Sequence, residues 1–250
     1  MIIRTNPELK KRYDELKAGD CFIGLLSFKN VKHRVCIDLL ERGVKLFPSA
    51  LSQTLSRSKV AQAVSLRQWM IPHTLIITRR FDLMLAINTY GQHGIGPVVT
   101  KEDHLHCGFG VHRWDNMEAV YNQACLNSIL YPFVVQPLVE NYTDVRVILA
   151  GKYVEAYTRK NEHNFRMNLS TGGTSEQYKL DKDQLRFCHN VMERGKFPYA
   201  HIDLLVTAEG HSYLSEIALN GGMKGAGIER EELDAWKKDI LEKMAKSCGN

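Results

Sequence analysis

The chain has 250 residues, of which 44% are hydrophobic and 24% are charged, a composition typical of a globular protein with a full hydrophobic core. Its 33 lysines and arginines exceed its 28 acidic residues by only five charges. Because these charges form no long basic run and no reader motif is present, the sequence does not indicate a nucleic-acid partner.

The first part of the chain alternates helical and extended segments. Helical spacing and end signals predict helices at 7–17, 31–42, 56–70 and 82–90, the second ending at Gly43 and the third before Pro72. Apolar runs predict strands or extended segments at 21–28, 44–48, 74–78 and 97–101. A loop with glycines at 108 and 110 follows the last of these strands.

The same alternation continues to the end of the chain. Helices are predicted at 116–126, 183–194 and 229–246, and strands at 133–136, 146–150, 153–159, 200–206 and 212–216. The sequence therefore predicts an α+β protein whose sheets are mostly antiparallel. A joint is predicted near 134–140, where an extended segment meets Pro137.

The cysteines and the apolar segments indicate the cellular compartment in which the protein is expected. The six cysteines are scattered and include no C-x-x-C pair, so reduced thiols are expected. The N-terminus lacks the apolar core of a secretory signal. No apolar run approaches the ~20 residues of a membrane span. We therefore expect a cytoplasmic protein that has no membrane partner.

Charged side chains beside strand-like apolar runs are the strongest functional signal. Besides Asp144, they supply two arginines, an amide and two carboxylates, which suit a nucleotide and a metal ion. In order, the motifs are Asp144-Val145-Arg146, Phe165-Arg166-Met167-Asn168-Leu169 leading to Gly172-Gly173, His201-Ile202-Asp203, and Leu214-Ser215-Glu216.

The order and spacing of these motifs resemble the ATP-grasp ligases, in particular the RimK-like glutamate ligases and their glutathione synthetase relatives. The resemblance implies an ATP-grasp fold, in which two α+β subdomains clamp ATP, here with a shortened N-terminal region. The implied boundaries are 1–55 for the truncated region before the ATP-grasp fold, 56–135 for the subdomain with the phosphate loop, and 136–250 for the subdomain with the metal and catalytic residues.

The resemblance also assigns the ATP-binding residues. Lys101 at a strand end, Lys59 at a helix start, and the loop with Gly108 and Gly110 would meet the phosphates, the loop through backbone N–H groups. The crossing that includes Gln136, Leu138 and Val139 would bind adenine through its backbone, and Glu140 would meet the ribose. The local sequence of the crossing fits an ordinary strand ending at a proline equally well.

Three residues are assigned to catalysis by the same resemblance. Arg166 would face the γ-phosphate and the acyl phosphate, and Arg146 would orient the acceptor carboxylate, since a guanidinium grips such oxygens with a planar fork. Asn168 would assist at the metal-bound phosphates.

Asp203 and Glu216 would hold the metal. They stand on adjacent predicted strands, and Mg²⁺, or Mn²⁺ in its place, prefers such hard oxygen ligands. Two buried acids without a cation would repel each other, which favours a metal. Relatives place an asparagine two residues after the glutamate, where this chain has Ala218, so Asn220 is predicted as the substitute ligand.

The phosphate loop departs from the family pattern, because His104-Leu105-His106-Cys107 stands where relatives carry small residues and glycine. The loop is therefore expected to be looser or altered. With His112, these side chains suggest zinc, but no second paired element completes a tetrahedral set. We expect them to line the phosphate loop or contact a substrate.

The resulting hypothesis is an ATP- and Mg²⁺-dependent carboxylate–amine ligase that forms an amide or peptide C–N bond through an acyl phosphate. Its partners would be small-molecule or peptide carboxylate and amine substrates. Two alternatives stay open: an ATP-grasp phosphotransferase that stops after phosphoryl transfer, and a nucleotide-binding partner subunit with reduced catalysis. The sequence also leaves homo-oligomer formation open.

Overall fold

A computed structural model describes residues 1–105, 108–126, 128–167, 169 and 172–247. These residues form three β-sheets with α-helices packed against them. The α+β prediction is confirmed. None of the helices within these ranges combines the length and the apolar character needed to cross a membrane.

The first sheet is small and parallel, with strand order β1-β2-β3. Its elements are β1 (Ile2–Ile3), α1 (Asn6–Lys11), β2 (Cys21–Ile23), α2 (Lys32–Glu41) and β3 (Lys45–Phe47). The predicted strand 21–28 ends early, at Gly24, whose φ of 139° only glycine adopts readily. The apolar sequence pattern extends beyond the strand because Leu26, which lies in a loop, is buried in the same core as Phe22.

Two short helices connect the first sheet to the others. These are α3 (Ala50–Leu55) and α4 (Lys59–Ser65), and a 3₁₀ turn at Arg67–Trp69 follows. The hydroxyl of Ser58 caps α4 by accepting a hydrogen bond from the backbone N–H of Ala61 at 2.9 Å. The predicted helix 56–70 is thus a shorter helix and a turn.

The second sheet is antiparallel, with strand order β4-β7-β5-β6. Its elements are β4 (Leu75–Ile77), α5 (Arg80–Gln92), β5 (Val98–Glu102), β6 (Val111–Trp114), α6 (Met117–Cys125) and β7 (Phe133–Pro137). Leu83 of α5, Val120 of α6 and Phe133 of β7 share its core. The hairpin of β5 and β6 carries the glycine-containing loop at one end.

The third sheet is antiparallel and the largest, with strand order β10-β9-β8-β11-β12. Its elements are β8 (Tyr142–Ala150), β9 (Tyr153–Lys160), β10 (Thr174–Gln177), α7 (Lys182–Gly195), β11 (Tyr199–Thr207), β12 (Ser212–Ala218) and α8 (Arg230–Ser247). Its core also includes Leu55 of α3 and Leu66, so the connecting helices pack on this sheet.

The strand register of the third sheet brings charged residues to one face. Asp203 on β11 lies opposite Arg146 on β8 and Glu216 on β12. Asp144, two residues before Arg146, lies opposite Arg159 on β9. Residues directly opposite in a sheet project from the same face. This face and the second sheet line a common cleft.

Candidate functional site

A cleft of about 630 Å³ lies between the second and third sheets, and we call it the main cleft. Most of the predicted site residues line it: Lys59, Lys101, Gly108, Gln136, Leu138, Val139, Arg146, Arg166, Asp203, Glu216 and Asn220. Gly110 and Glu140 are not among its lining residues. The predicted catalytic Asn168 lies outside the described residues.

Two arginines hold Asp203 at the floor of the main cleft. Arg146 donates from Nε to Oδ1 and from Nη2 to Oδ2, both at 2.8 Å. Arg159 places its Nη2 2.9 Å from Oδ2 of the same carboxylate. Arg159 also donates from Nε to Asp144 Oδ1 at 2.6 Å. The four side chains therefore form a continuous charge network.

The two carboxyls of this network have opposite pKa shifts. Burial raises the pKa of Asp144 to about 6, an effect that Arg159 only partly offsets. Burial acts in the same direction on Asp203, but the charges and hydrogen bonds of Arg146 and Arg159 outweigh it and hold its pKa below the usual range. Asp203 is thus the charge centre of the network.

Glu216 is available to a metal ion. Among the described residues, no hydrogen bond or ion pair engages its half-buried carboxylate, whereas both oxygens of Asp203 are bonded to guanidinium groups. The donor set fits Mg²⁺ at Glu216, since a carboxylate oxygen without a partner is the ligand that this ion prefers. Asp203 would join it only after exchanging a guanidinium contact. No cluster of three or more His, Cys, Asp or Glu suited to a metal occurs in the described part of the chain.

The predicted ligand Asn220 has a partner within the protein. Its Oδ1 accepts a hydrogen bond from Lys237 Nζ at 2.9 Å. A metal-binding role for Asn220 would therefore require this bond to be replaced. The assignment stays a prediction, and among the described residues Glu216 offers the oxygens that have no hydrogen-bond partner.

Lys101 is on β5 of the second sheet, and its side chain reaches across to β12 of the third sheet. Its Nζ donates to the carbonyl and the hydroxyl of Ser215 at 3.2 Å and 3.3 Å. Burial lowers the pKa of Lys101 to about 8, and the nearby carboxylate of Glu216 offsets only part of this effect. A buried ammonium with neutral hydrogen-bond partners is suited to an anionic ligand.

The other two predicted phosphate-facing cations contact the loop between β5 and β6. Lys59 Nζ donates to the carbonyl of Leu105. Arg166 donates from Nε to the carbonyls of Gly108 and Val111, at 3.0 Å and 2.8 Å. The loop thus engages both cations with its own carbonyl oxygens, and a phosphate would compete with these contacts.

Gly110 has a packing role in this loop. A Cβ added there would lie 2.9 Å from the Cβ atoms of Glu102 and Leu105. We expect Gly110→Ala to lower the free energy of unfolding by about 1–3 kcal/mol, because these atoms cannot move without shifting the backbone. Chemical denaturation measures the change. Gly96→Ala is the control, since a Cβ at Gly96 meets nothing within 4 Å, and an equal loss in both variants would contradict this account.

In the chain crossing at the end of β7, part of the backbone is already hydrogen-bonded within the protein. Gln136 is buried, and the backbone N–H of Leu138 donates to the carbonyl of Pro97 at 2.9 Å. That N–H is therefore not available to an adenine while this bond persists. Glu140 is exposed and lies 3.8 Å from Arg113 on β6, so the predicted ribose contact would require it to turn toward the main cleft.

The two described members of the predicted histidine cluster, His104 and His112, have separate partners. His104 is exposed, with Nδ1 3.2 Å from the carbonyl of Arg57. His112 Nε2 lies 2.9 Å from Glu102 Oε1. His106 and Cys107 lie outside the described residues. His112 therefore has a local partner on β5.

Sequence reasoning missed several residues of the main cleft, of which Arg159 is the most important. It is the last residue of the predicted strand 153–159. Tyr157 and Arg159 are two residues apart in this strand, so their side chains point to the same face of the sheet. An arginine at that position could have been singled out, but its pairing with Asp144 depends on cross-strand register. His201 was named only as part of a motif; it is 3% exposed and also lines the main cleft.

Comparisons with known proteins agree with this architecture. A family model, RimK-like ATP-grasp domain, matches residues 54–245. No curated protein sequence matches the chain. D-alanyl-alanine synthetase A from Vibrio cholerae O1 biovar eltor is similar in structure, with a TM-score of 0.60 and 14% identity over 92% of this chain and 76% of that chain.

Two further solved structures are similar to the chain. D-cycloserine synthetase DcsG has a TM-score of 0.63 and 11% identity over 99% of both chains. The ATP-grasp ligase PsnB, solved with a phosphomimetic variant of a minimal precursor, Mg and ADP, has a TM-score of 0.58 and 14% identity over 90% of this chain and 77% of that chain. The predicted ATP-grasp fold is confirmed.

Proposed function

Since the chain belongs to the RimK-like ATP-grasp family, we propose that it is an ATP- and Mg²⁺-dependent ligase that joins a carboxylate to an amine through an acyl phosphate. The observation that supports this most is the combination of groups in the main cleft. Lys101, Arg146 and Arg166 supply cations, and Glu216 supplies an unengaged carboxylate. Phosphoryl transfer between two anions needs this combination of charge neutralisation and positioning.

The cations of the main cleft have separate tasks. Lys59 and Lys101 bind the phosphates of ATP, and Arg166 contacts the transferring γ-phosphoryl group. Lys59 and Arg166 reach the phosphates by exchanging the loop carbonyls for phosphate oxygens. The loop backbone then turns N–H groups toward the phosphates, as such concave backbone segments do at anion sites. The side chains position the γ-phosphoryl group for transfer.

Arg146 and Arg159 hold the substrate carboxylate. A guanidinium has five N–H donors, and Arg146 uses three of them on Asp203 and the carbonyl of Gly222. Its remaining donors serve a second anion, while Asp203 fixes the plane of the guanidinium. After phosphoryl transfer, the amine nitrogen attacks the acyl carbon, the C–O bond to phosphate breaks, and the amine loses a proton.

Glu216, with Asp203 beside it, would hold Mg²⁺, which when bound neutralises the phosphate oxygens. Two arginines on Asp203 and a lysine beside Glu216 keep these acids from repelling each other without the ion. The metal is therefore needed for the phosphates and not for folding. Removal of Mg²⁺ with a chelator should leave the melting temperature of the nucleotide-free protein unchanged.

Lys101 makes ATP binding depend on pH. Its pKa is about 8 in the free protein, and phosphates would raise it, so binding above pH 8 requires the uptake of a proton. We expect ATP affinity to fall as the pH rises above 8. Lys101→Arg should lose this fall, because arginine stays protonated. Calorimetric titrations of both proteins with Mg-ATP test the expectation, and a parallel decline in both would contradict it.

Release of ADP tests the proposed function. The protein is incubated with Mg-ATP and a panel of carboxylic acids, with and without amines, and hydroxylamine is added to trap acyl phosphates as hydroxamates. A ligase releases ADP that depends on the carboxylate and forms hydroxamate. A phosphotransferase forms a stable phosphorylated product without any amine, and a nucleotide-binding partner subunit releases no ADP.

A further inference from the structure

Helix α5 presents an apolar stripe to solvent on the outer side of the second sheet. Phe81, Met84 and Leu85 are spaced three and four residues apart, which places them on one face of the helix. Their exposed fractions are 58%, 48% and 50%. The opposite face of α5 packs through Leu83 and Ala86 into the core of the second sheet. The stripe is therefore a helix face that the fold leaves half exposed.

Two leucines extend this apolar surface beyond α5. In the antiparallel pair of β4 and β7, Ile77 lies opposite Phe133. The chain that leads into β7 therefore runs beside the chain that leads from β4 into α5. Leu126 and Leu130, which precede β7, are 73% and 72% exposed. We use the name α5 face for the surface formed by Phe81, Met84, Leu85, Leu126 and Leu130.

The α5 face lies on the far side of the second sheet from the main cleft. Side chains along a strand alternate between the two faces of its sheet. On β5, Val98 points into the core shared with α5, whereas Val99 lines the main cleft. On β7, Val135 and Gln136 divide in the same way. A molecule bound to the α5 face would therefore leave the main cleft open to substrates.

The size of the α5 face suits an interface between two protein chains. At roughly 200 Å² for each fully exposed side chain of this size, its five residues expose about 600 Å². This is as large as the largest apolar patch on a typical monomer, and such patches often serve an interaction. Two α5 faces packed together would bury about 1,200 Å², the lower end of the range for specific protein interfaces.

The charges of α5 are complementary to a second, antiparallel copy of the same helix. Arg80, in the first turn, is exposed and makes no hydrogen bond or ion pair with a described residue. The last turn has no basic residue to offset the partial negative charge of the helix end. The stripe is centred on Met84 and Leu85. A two-fold axis at this centre would bring Arg80 of each copy to the last turn of the other copy's α5.

We propose that the protein forms a two-fold symmetric homodimer through the α5 face, with the two α5 helices antiparallel. A symmetric dimer needs one surface that is complementary to itself. The α5 face meets this requirement with its apolar stripe at the centre and opposite charges at the two ends of the helix. The inference does not depend on the proposed function, because the α5 face is separate from the main cleft.

Sedimentation equilibrium of the full chain tests the proposal. An interface of this size should dissociate at about 1–100 µM, so the measured mass should rise across this range from 28.5 kDa toward twice that value. Leu85→Glu should raise the dissociation constant by about a hundredfold or more, because each copy then buries an unpaired carboxylate. Arg80→Ala should raise it severalfold. Ile37→Glu is the matched control, since Ile37 is also 50% exposed but lies on α2 of the first sheet.

Disulfide cross-linking tests the position of the two-fold axis. Met84→Cys places one thiol of each copy beside the axis, so mild oxidation should give a covalent dimer. Ile37→Cys should not give one. Both variants and the wild type contain the same native cysteines, so the wild type shows any cross-linking that these cause. The melting temperature of each variant reports its folding.

Three outcomes would overturn the proposal. The first is a wild-type protein that stays monomeric at every concentration, which would leave the α5 face to a different partner. The second is a folded Leu85→Glu variant that dimerises as the wild type does. The third is cross-linking of Ile37→Cys in place of Met84→Cys, which would locate the contact between copies on the first sheet.

Discussion

Asp203→Ala should lower the free energy of unfolding by about 3–5 kcal/mol, the usual cost of leaving a buried charge without its partner. The variant leaves Arg146 and Arg159 facing each other at the floor of the main cleft, with side chains only 17% and 12% exposed. Asp144 remains to balance one of them. Chemical denaturation at neutral pH measures the loss.

Asp183→Ala is the matched control for this stability measurement. Asp183 also pairs with an arginine, Arg186, but both side chains are more than 70% exposed. Such a pair contributes about 0–1 kcal/mol. Losses of similar size in the two variants would show that the network around Asp203 does not stabilise the sheet.

The pH dependence of the same variant follows from the lowered pKa of Asp203. A carboxyl with a lowered folded-state pKa contributes stability above its unfolded pKa of about 4 and loses it as the pH falls through the folded value. The difference between wild type and Asp203→Ala should therefore be full at neutral pH and shrink below pH 4. A difference that grows on acidification would contradict this assignment.

Arg166→Ala should reduce turnover about 10²–10³-fold, the range seen when one preorganised donor to a developing charge is removed. Its guanidinium gains interaction as charge moves to the transferring phosphoryl group. Lys101→Ala should instead mainly weaken ATP binding, since Lys101 meets phosphates that are already charged in the ground state. Steady-state kinetics with the substrates found by ADP release separate the two effects.

Arg186→Ala is the control for both kinetic variants, because Arg186 is exposed on α7 and does not line the main cleft. It should leave kcat and KM unchanged. A reversed pattern, with Arg166→Ala acting on ATP affinity and Lys101→Ala on kcat alone, would show that the two roles are exchanged.

The sequence predicted those parts of the fold whose signals are local. The helix at 183–194 is capped by Asp181 and has an apolar face, and the structure extends it by only one residue at each end. Strand β10 was not predicted because all its residues are exposed and show no alternation. Strand β6 was missed because none of its residues is fully buried. Each of these two strands is at the edge of a sheet, held by backbone pairing that leaves little pattern in the sequence.

The charge network illustrates what sequence could not predict about the site. The sequence identifies Asp203 and Glu216 as site residues, but it suggests a metal ion as the positive charge that offsets the repulsion between their carboxylates. In the structure, Arg146 and Arg159 neutralise Asp203, and this depends on which residues lie opposite each other in the third sheet. Register is determined by packing of whole strands, so a motif search finds the acids and not their partners.

The loop between β5 and β6 shows the same limit for the phosphate site. The spacing from Lys101 to Gly108 suggested a loop that folds over phosphates. The contacts of its carbonyls with Lys59 and Arg166 join segments that are more than 40 residues apart in the chain. No local pattern encodes such contacts, because they depend on how the second sheet packs on the third.

A crystal structure with a nonhydrolysable ATP analogue and Mg²⁺ tests the central claim most directly. We expect the phosphates to lie in the main cleft against Lys59, Lys101 and Arg166, with the carbonyls of Leu105 and Gly108 released from these cations and Mg²⁺ on Glu216. Nucleotide bound outside the main cleft, or phosphates in it that leave Arg166 on the loop carbonyls, would contradict the account.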